Sequence, residues 1–178
     1  MDTTYAPLHG TAADAASRAL APARLGLSNL LILAAGAFAI GTSEFLMMGT
    51  LPAVAGDLGV SVGAAGQLVA AFALGIALGG PVLAGMTTRF GRRRVLAGAL
   101  LAFLATNAVV AVASSYALAI LMRFLGGAAG GLFYGVAFAT AAATAPPGKQ
   151  GGAIATVLGG VTMATVLGTP VGSWIGQH

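Results

Sequence analysis

The sequence from Tyr116 to Ala145 reads YALAILMRFLGGAAGGLFYGVAFATAAATA and contains one charged side chain, Arg123. A helix of about 20 apolar residues crosses the hydrocarbon core of a bilayer, which is about 30 Å thick. Outward from this stretch, the chain contains four more apolar runs of sufficient length. The five predicted spans cover about residues 27–52, 63–87, 95–113, 116–145 and 151–176. None of them shows the alternation of a barrel strand, so the sequence predicts an all-α polytopic membrane protein.

The composition excludes the other broad classes of protein. Hydrophobic residues make up 58% of the chain and charged residues 7%, whereas about a quarter of a soluble domain is charged. Disordered chains have low hydrophobicity, so disorder is excluded as well. The chain has no cysteine, which excludes disulfide frameworks and thiolate metal sites. We expect no metal and no bound cofactor.

The basic residues predict the orientation of the chain in the membrane. With a cytoplasmic N-terminus, seven of them fall on the inner side and none in the outer connections, which is the bias expected of an inner, cytoplasmic membrane. They are Arg18, Arg24, Arg89, Arg92, Arg93, Arg94 and Lys149. The net charge of +4 is explained by this orientation, so no nucleic-acid partner is expected. Residues 1–25 lack the apolar core of a signal peptide and are predicted to be a cytoplasmic tail, followed by a transmembrane bundle over residues 26–178.

Small residues recur every four positions along two of the spans. Such ridges allow close approach of helix backbones, because lipid provides no hydrophobic force between helices. The ridge residues are Gly152, Thr156, Gly160, Ala164, Gly168, Gly172 and Gly176 in the fifth span, and Ala71, Gly75 and Gly79 in the second. Two roles stay open for them: static packing, or surfaces on which helices rock, helped by a kink at Pro170.

Two ionisable side chains, Glu44 and Arg123, lie well inside spans. A charge at membrane depth is costly unless it is paired or hydrated, which favours either a functional role or a mutual ion pair. Counted along the helices, both are predicted to lie about 10–12 Å below the outer surface. The alternatives for Glu44 are a static ion pair with Arg123 and a carboxylate that takes up and releases a proton.

Helical spacing extends this pair toward a pocket. Gly127, Gly130 and Tyr134 share a face with Arg123, and Gly41 and Met48 share one with Glu44. Gln67 and Asn107 add polar groups in the outer halves of their spans. The predicted cavity-lining residues are therefore Met48, Gln67, Asn107, Gly127 and Tyr134. For Gln67, Asn107 and Tyr134, hydrogen bonding between helices is the alternative role.

One motif suggests an enzyme. Gly41-Thr42-Ser43-Glu44 resembles the Gly-x-Ser-x pattern of intramembrane serine proteases, which need a histidine to activate the serine. The chain has two histidines, His9 in the tail and His178 at the last position. Neither is placed to reach Ser43, so we expect no enzymatic activity.

Three segments together resemble the major facilitator superfamily, and more narrowly its twelve-span drug:proton antiporters. Residues 84–94, AGMTTRFGRRR, are similar to the cytoplasmic signature Gly-x-Leu-x-Asp-Arg-x-Gly-Arg-Arg/Lys: Arg89, Gly91, Arg92 and Arg93 match, and Thr88 replaces the aspartate of the family's charge latch. Arg123 and Gly127 are similar to its Arg-x-x-x-Gly signature. Residues 160–176, GVTMATVLGTPVGSWIG, are similar to the family's antiporter helix signature, and the matching residues are Gly160, Gly168, Pro170 and Gly172.

Together with residues 41–61, GTSEFLMMGTLPAVAGDLGVS, these motifs resemble the subgroup of arabinose-efflux-like permeases and actinobacterial chloramphenicol-resistance exporters. The resemblance implies export of small amphipathic compounds, such as chloramphenicol, energised by a proton gradient. It also implies that Arg123 takes part in proton coupling and that Glu44 is the subgroup's first-span acid.

The family fold has two six-helix halves with the substrate between them. The five predicted helices would belong to the N-terminal six-helix bundle, and the expected partners are the lipid bilayer, the solute and a missing C-terminal half. A non-transporting truncated fragment and a small homo-oligomeric transporter are the alternatives.

Overall fold

In the computed structural model, residues 26–176 are described. They form five helices and, over this range, no strand, which confirms the all-α prediction. All five are long and apolar enough to cross a membrane. The predicted tail, residues 1–25, lies outside the described range. The helices are α1 (Leu27–Asp57), α2 (Val62–Met86), α3 (Arg92–Ala111), α4 (Tyr116–Thr144) and α5 (Gln150–Gly176).

The first helix is longer than the sequence suggests. It continues through Pro52 to Asp57, which corrects the predicted end of the first span, where Pro52 began a turn. Proline is tolerated in transmembrane helices because neighbouring groups satisfy the freed backbone. The chain reverses instead at Gly59, whose φ of 63° is typical of a helix C-terminal glycine. The hydroxyl of Ser61 then accepts a hydrogen bond from the Ala64 amide, 3.2 Å away, and caps α2.

The pair α1 and α5 packs through the predicted ridge of small residues. A methyl group added at Gly160 would collide with the Ala34 carbonyl oxygen, and one at Gly172 would lie 2.6 Å from the Leu46 carbonyl oxygen. On the opposite helix, the same is true of Gly41, whose added methyl would lie 2.9 Å from the Cβ of Ala164. These backbones therefore touch with no room for a side chain between them.

The pair α2 and α4 packs in the same way. A methyl group at Gly75 would collide with the Phe124 carbonyl, and one at Gly127 with the Phe72 carbonyl. At this crossing, α2 contains one π-helical turn, Gly75–Gly79, which the sequence analysis does not predict. π-Helical turns are rare and occur frequently at functional sites.

The fourth helix occupies the centre of the bundle. It contacts all four other helices, and it buries the largest share of its apolar segment among the five. The third helix lies on its outside, where Val95, Ala99 and Phe103 are buried. The central position of α4 brings Arg123 into the interior, facing both α1 and α2.

Candidate functional site

Arg123 lies at the centre of the bundle and is 1% exposed. Its Nε donates a hydrogen bond to the Leu68 carbonyl oxygen at 3.4 Å. The guanidinium carbon lies 4.3 Å from the centroid of the Phe72 ring, a cation–π geometry. Both partners belong to α2, so the arginine is anchored across the α2/α4 contact.

One nitrogen of the Arg123 guanidinium makes no hydrogen bond to the described residues. Among the described residues, Nη2 of Arg123 is buried without a hydrogen-bond partner. A buried charged donor without a partner is costly, and such atoms in proteins usually mark a functional group or a bound species. The Nη2 group of Arg123 can therefore donate a hydrogen bond to a further negative or polar group while the side chain keeps its contacts with Leu68 and Phe72.

Glu44 on α1 is partly buried, and Arg123 lies on the neighbouring helix α4. No ion pair within 4 Å joins these two side chains in residues 26–176. Because α1 continues to Asp57, Glu44 lies about 20 Å from the C-terminal end of its helix. A static ion pair with Arg123, one of the two predicted roles of Glu44, is therefore not formed in the described residues, and the role in proton coupling stays a prediction.

Tyr134 lies on the same side of α4 and contacts α1. Its hydroxyl donates to the Ala37 carbonyl oxygen at 3.4 Å, and it lies 3.8 Å from where a methyl group on Gly41 of α1 would be. The ring stacks on Phe138 with centroids 6.1 Å apart and an angle of 12° between the ring planes. Tyr134 therefore joins α4 to α1, whereas Arg123, three turns earlier on α4, is held by α2.

Asn107 connects the third helix to the first. Its Oδ1 accepts a hydrogen bond from the Ser43 hydroxyl at 2.8 Å, and its Nδ2 donates to the Phe103 carbonyl oxygen at 2.8 Å. This is the interhelical role that the sequence analysis kept as an alternative. The bond holds the residue next to Glu44 and so orients that part of α1.

An outer cleft of about 280 Å³ lies between the first four helices. Its polar lining includes Ser43, Thr50, Asp57 and Asn107. Asp57 ends α1, whereas Ser43 directly precedes Glu44 in the chain. The cleft therefore runs from the Asp57 end of the bundle to the bond between Ser43 and Asn107, and Glu44 and Arg123 are not part of its lining.

Three other predicted lining residues lie outside these contacts. Gly127 is buried against the backbone of Phe72, which corrects its prediction as a cavity-lining residue: it is a packing position. Gln67 is exposed and accepts a hydrogen bond from the Tyr116 hydroxyl at 3.0 Å. Met48 is 43% exposed.

Residues that the sequence analysis missed are Phe72 and Thr42. Phe72 supplies the ring beneath Arg123, and the Thr42 hydroxyl is a second buried polar atom without a partner in the described chain. Phe72 carries no signal of its own, because it is one of many apolar residues in its span. Thr42 is two positions from Glu44 and therefore lies on nearly the opposite side of α1.

The cytoplasmic signature forms the connection between α2 and α3. Arg89 packs beside Phe90, with its guanidinium carbon 5.8 Å from the ring centroid. Thr88, at the position of the family's aspartate, donates to the Gly85 carbonyl oxygen at 3.2 Å. Arg92 and Arg93 begin α3 immediately after Gly91.

The antiporter helix signature forms much of the contact between α5 and α1. A methyl group at Gly168 would lie 3.0 Å from the Cβ of Phe45, so Gly168 adjoins the segment of α1 that carries Glu44. Gly160 and Gly172 pack on the same helix. Pro170 lies inside α5 and is exposed.

Sequence comparison places these features in a known family. Residues 33–178 match the Major Facilitator Superfamily. The chain belongs to this superfamily. The resemblance inferred from the motifs is thereby confirmed, and so is the expectation that the protein belongs to a family of transporters rather than enzymes.

Several bacterial members of the superfamily are similar to the chain. A chloramphenicol resistance protein of Streptomyces lividans is 45% identical over 147 residues, which cover 83% of the chain and 38% of that relative. The inner membrane transport protein YdhP of Escherichia coli is 38% identical over 148 residues, with the same two shares, 83% and 38%. The chain thus spans 38% of the length of these relatives, and it is a multi-pass membrane protein of the superfamily.

Proposed function

We propose that the chain is the N-terminal portion of a proton-coupled antiporter that exports small amphipathic compounds across the bacterial cytoplasmic membrane, with its N-terminus in the cytoplasm. The observation that carries the proposal is the pair formed by Glu44 and Arg123. The arginine is buried with one free donor, and the Glu44 carboxyl group is partly buried on the neighbouring helix and forms no ion pair with it among the described residues. A static scaffold would close such a pair.

The proposed cycle uses this pair to couple protonation to conformation. A proton from the outer side binds to the Glu44 carboxylate and cancels its charge, which removes its attraction to Arg123. The Nη2 group of Arg123 is then free to bind a polar group of the solute or of another helix. Release of the proton on the inner side restores the carboxylate and its attraction to the arginine. The proton gradient supplies the energy, and no cofactor takes part.

Chloramphenicol is the first solute to test, because a relative that is 45% identical is named as a chloramphenicol resistance protein. The rest of the transporter is also part of the proposal. Superfamily members place the substrate between two halves, so we propose that a C-terminal half completes the cavity facing Glu44.

The decisive experiment compares drug resistance in a sensitive bacterial host. The chain is expressed alone, and also joined to the part of the Streptomyces lividans relative that it does not match. Resistance that requires the joined protein supports the proposal. Resistance conferred by the 178-residue chain alone would favour a homo-oligomeric transporter, and no resistance in either form would favour a non-transporting fragment.

In the joined protein, Glu44→Gln tests the coupling role. We expect gradient-driven efflux from inverted vesicles to be lost, because the amide cannot exchange a proton. Asp57→Asn is the matched control: it removes the other acidic group of the described helices, which lies at the outer end of α1 and is exposed, and it should leave efflux largely intact. Unchanged efflux in Glu44→Gln would remove this residue from the mechanism.

A further inference from the structure

The π-helical turn of α2, Gly75–Gly79, divides this helix into an N-terminal half, residues 62–74, and a C-terminal half, residues 80–86. The Gly80 amide bonds back to the carbonyl oxygen five residues earlier, so the turn is wider than an α-helical turn. Pro81 follows, and because it has no amide hydrogen it cannot bond to the preceding turn. Sharp kinks in helices occur at π turns and at prolines. Residues 75–81 are therefore the part of α2 that bends most easily, and we call them the hinge.

The N-terminal half of α2 is fixed to α4. The buried Arg123 of α4 bonds to the Leu68 carbonyl oxygen and lies over the Phe72 ring. Both of these α2 residues are fully buried, and a methyl group at Gly127 of α4 would collide with the Phe72 carbonyl. Any movement of this half would have to break the contacts of a buried charge, which is costly.

The close contact with α4 ends within the C-terminal half of α2. A methyl group at Gly80 would lie 3.0 Å from the Gly131 backbone, whereas one at Gly85 meets nothing within 4 Å. The Thr87 hydroxyl, just after this half, donates to the Leu83 carbonyl oxygen of the same helix at 2.7 Å. It therefore does not tie this end of α2 to a neighbouring helix.

A crevice of about 340 Å³ separates this end of α2 from α3 and α4. Its lining includes Leu83 of α2 and Phe90 of the following connection, together with the small residues Gly98 and Ala102 of α3. A methyl group added at Gly98 meets nothing within 4 Å. The C-terminal half of α2 therefore has room to approach α3, and the residues that would meet are apolar on one helix and small on the other.

We propose that α2 bends at the hinge, so that its C-terminal half closes this crevice against α3 while its N-terminal half stays fixed to Arg123. Thr87 lies six residues beyond Pro81, which is about 9 Å along the helix. A bend of about 20–30° therefore moves it by about 3–5 Å.

The bend changes one end of α2 and leaves the other unchanged. In the closed form Leu83 and Phe90 pack on Gly98 and Ala102, and the apolar surface buried there opposes the cost of bending. The connection between α2 and α3 moves with the C-terminal half, whereas the surroundings of Arg123 stay as they are. This inference does not depend on the proposed transport function.

Distances between two spin labels, measured by electron paramagnetic resonance on the purified 178-residue chain in lipid nanodiscs, test the bend. The chain has no native cysteine, so labels can be placed at exposed positions. The pair Gly85→Cys and Leu101→Cys joins the C-terminal half of α2 to α3, and the pair Ala70→Cys and Leu101→Cys joins the N-terminal half to the same position. We expect two distances for the first pair, differing by up to about 5 Å, and one for the second. A single distance for the first pair, or two distances for both pairs, would overturn the proposal.

Filling the crevice tests where α2 closes. Gly98→Leu places a large side chain in the crevice, so the shorter distance of the first pair should disappear and the longer one remain. Gly98→Ala is the matched control, because it adds one methyl group in open space and should keep both distances. A shorter distance that persists in Gly98→Leu, or that is lost equally in both variants, would contradict closure onto this crevice.

The hinge itself is tested by Pro81→Ala, which restores an amide hydrogen to the helix backbone and stiffens it. The population at the shorter distance should fall at least about threefold, whereas Pro52→Ala, at an exposed proline of α1, should leave it unchanged. Equal populations in these two variants would overturn the hinge. Circular dichroism shows that each variant has kept its helices, and Pro81→Ala decides the outcome if Gly98→Leu has not.

Discussion

Arg123 is a buried cation held by groups from a neighbouring helix. The Leu68 carbonyl oxygen and the Phe72 ring together fix its guanidinium. This arrangement keeps the arginine in place whether or not Glu44 is charged. Coupling between the two residues can therefore change without unfolding the centre of the bundle. We expect the anchoring residues to matter for stability as well as for function.

The first residue-scale prediction concerns Phe72. Phe72→Leu removes the ring beneath Arg123 and its edge contact with Phe103, whose centroid lies 6.2 Å away. We expect a loss of about 1–3 kcal/mol, from a desolvated cation–π pair and an aromatic pair. Unfolding of the purified chain in mild detergent measures it.

Phe90→Leu is the matched control for this loss. Phe90 also lies beside an arginine, Arg89, but at 5.8 Å and on an exposed part of the chain. Its loss should stay below about 1 kcal/mol. If both variants lose the same stability, the interaction of the Phe72 ring with the buried arginine does not stabilise the fold.

The second residue-scale prediction concerns the hydrogen bond between Ser43 and Asn107. A double-mutant cycle with Ser43→Ala and Asn107→Ala should give a coupling energy of about 0.6 kcal/mol and at most about 1.7 kcal/mol, the mean and the maximum found for interhelical bonds in membranes. Thermal unfolding of the four proteins measures it. A coupling energy near zero would mean that the bond does not connect α1 to α3.

At the scale of elements, the bundle is built from two pairs of helices whose backbones touch. In each pair, glycines on both helices lie against the backbone or a small side chain of the other helix. These contacts leave no room for a methyl group.

Two adjacent glycines of α5 test this contact. Gly160→Ala should separate α1 from α5 and lower the midpoint of thermal unfolding, because the added methyl collides with the Ala34 carbonyl. Gly159→Ala meets nothing within 4 Å, and it should be neutral or stabilising by up to about 1 kcal/mol through helix propensity. Equal effects at the two positions would contradict the packing of α5 on α1.

At the scale of the whole molecule, the proposed orientation places Thr88 inside the cell and Ser114 outside. The chain has no native cysteine, so single cysteines can be introduced at these two exposed positions. A membrane-impermeant maleimide added to intact cells should label Ser114→Cys and leave Thr88→Cys unlabelled until the cells are opened. The reverse pattern would invert the topology.

The membrane class, the five spans and the family were predictable from the sequence. A run of apolar residues is long enough to cross a bilayer whatever surrounds it, and the family motifs lie within single spans or connections. The ridge at Gly160, Gly168 and Gly172 was predictable for the same reason, because its spacing is a property of one helix. The pair of Glu44 and Arg123 was also suggested by the sequence, since charges inside spans are rare.

What depended on the tertiary structure were the contacts between helices. The ring of Phe72 beneath Arg123, the bond from Ser43 to Asn107 and the packing role of Gly127 each join residues of different spans, and a one-helix pattern contains no information on which face meets which neighbour. The unpartnered hydroxyl of Thr42 is of the same kind, because a missing partner can be recognised only when all surrounding groups are placed. In this protein, hydropathy and charge along the chain determined that the helices cross the membrane. The close approach of their glycine faces decided which polar groups meet inside it.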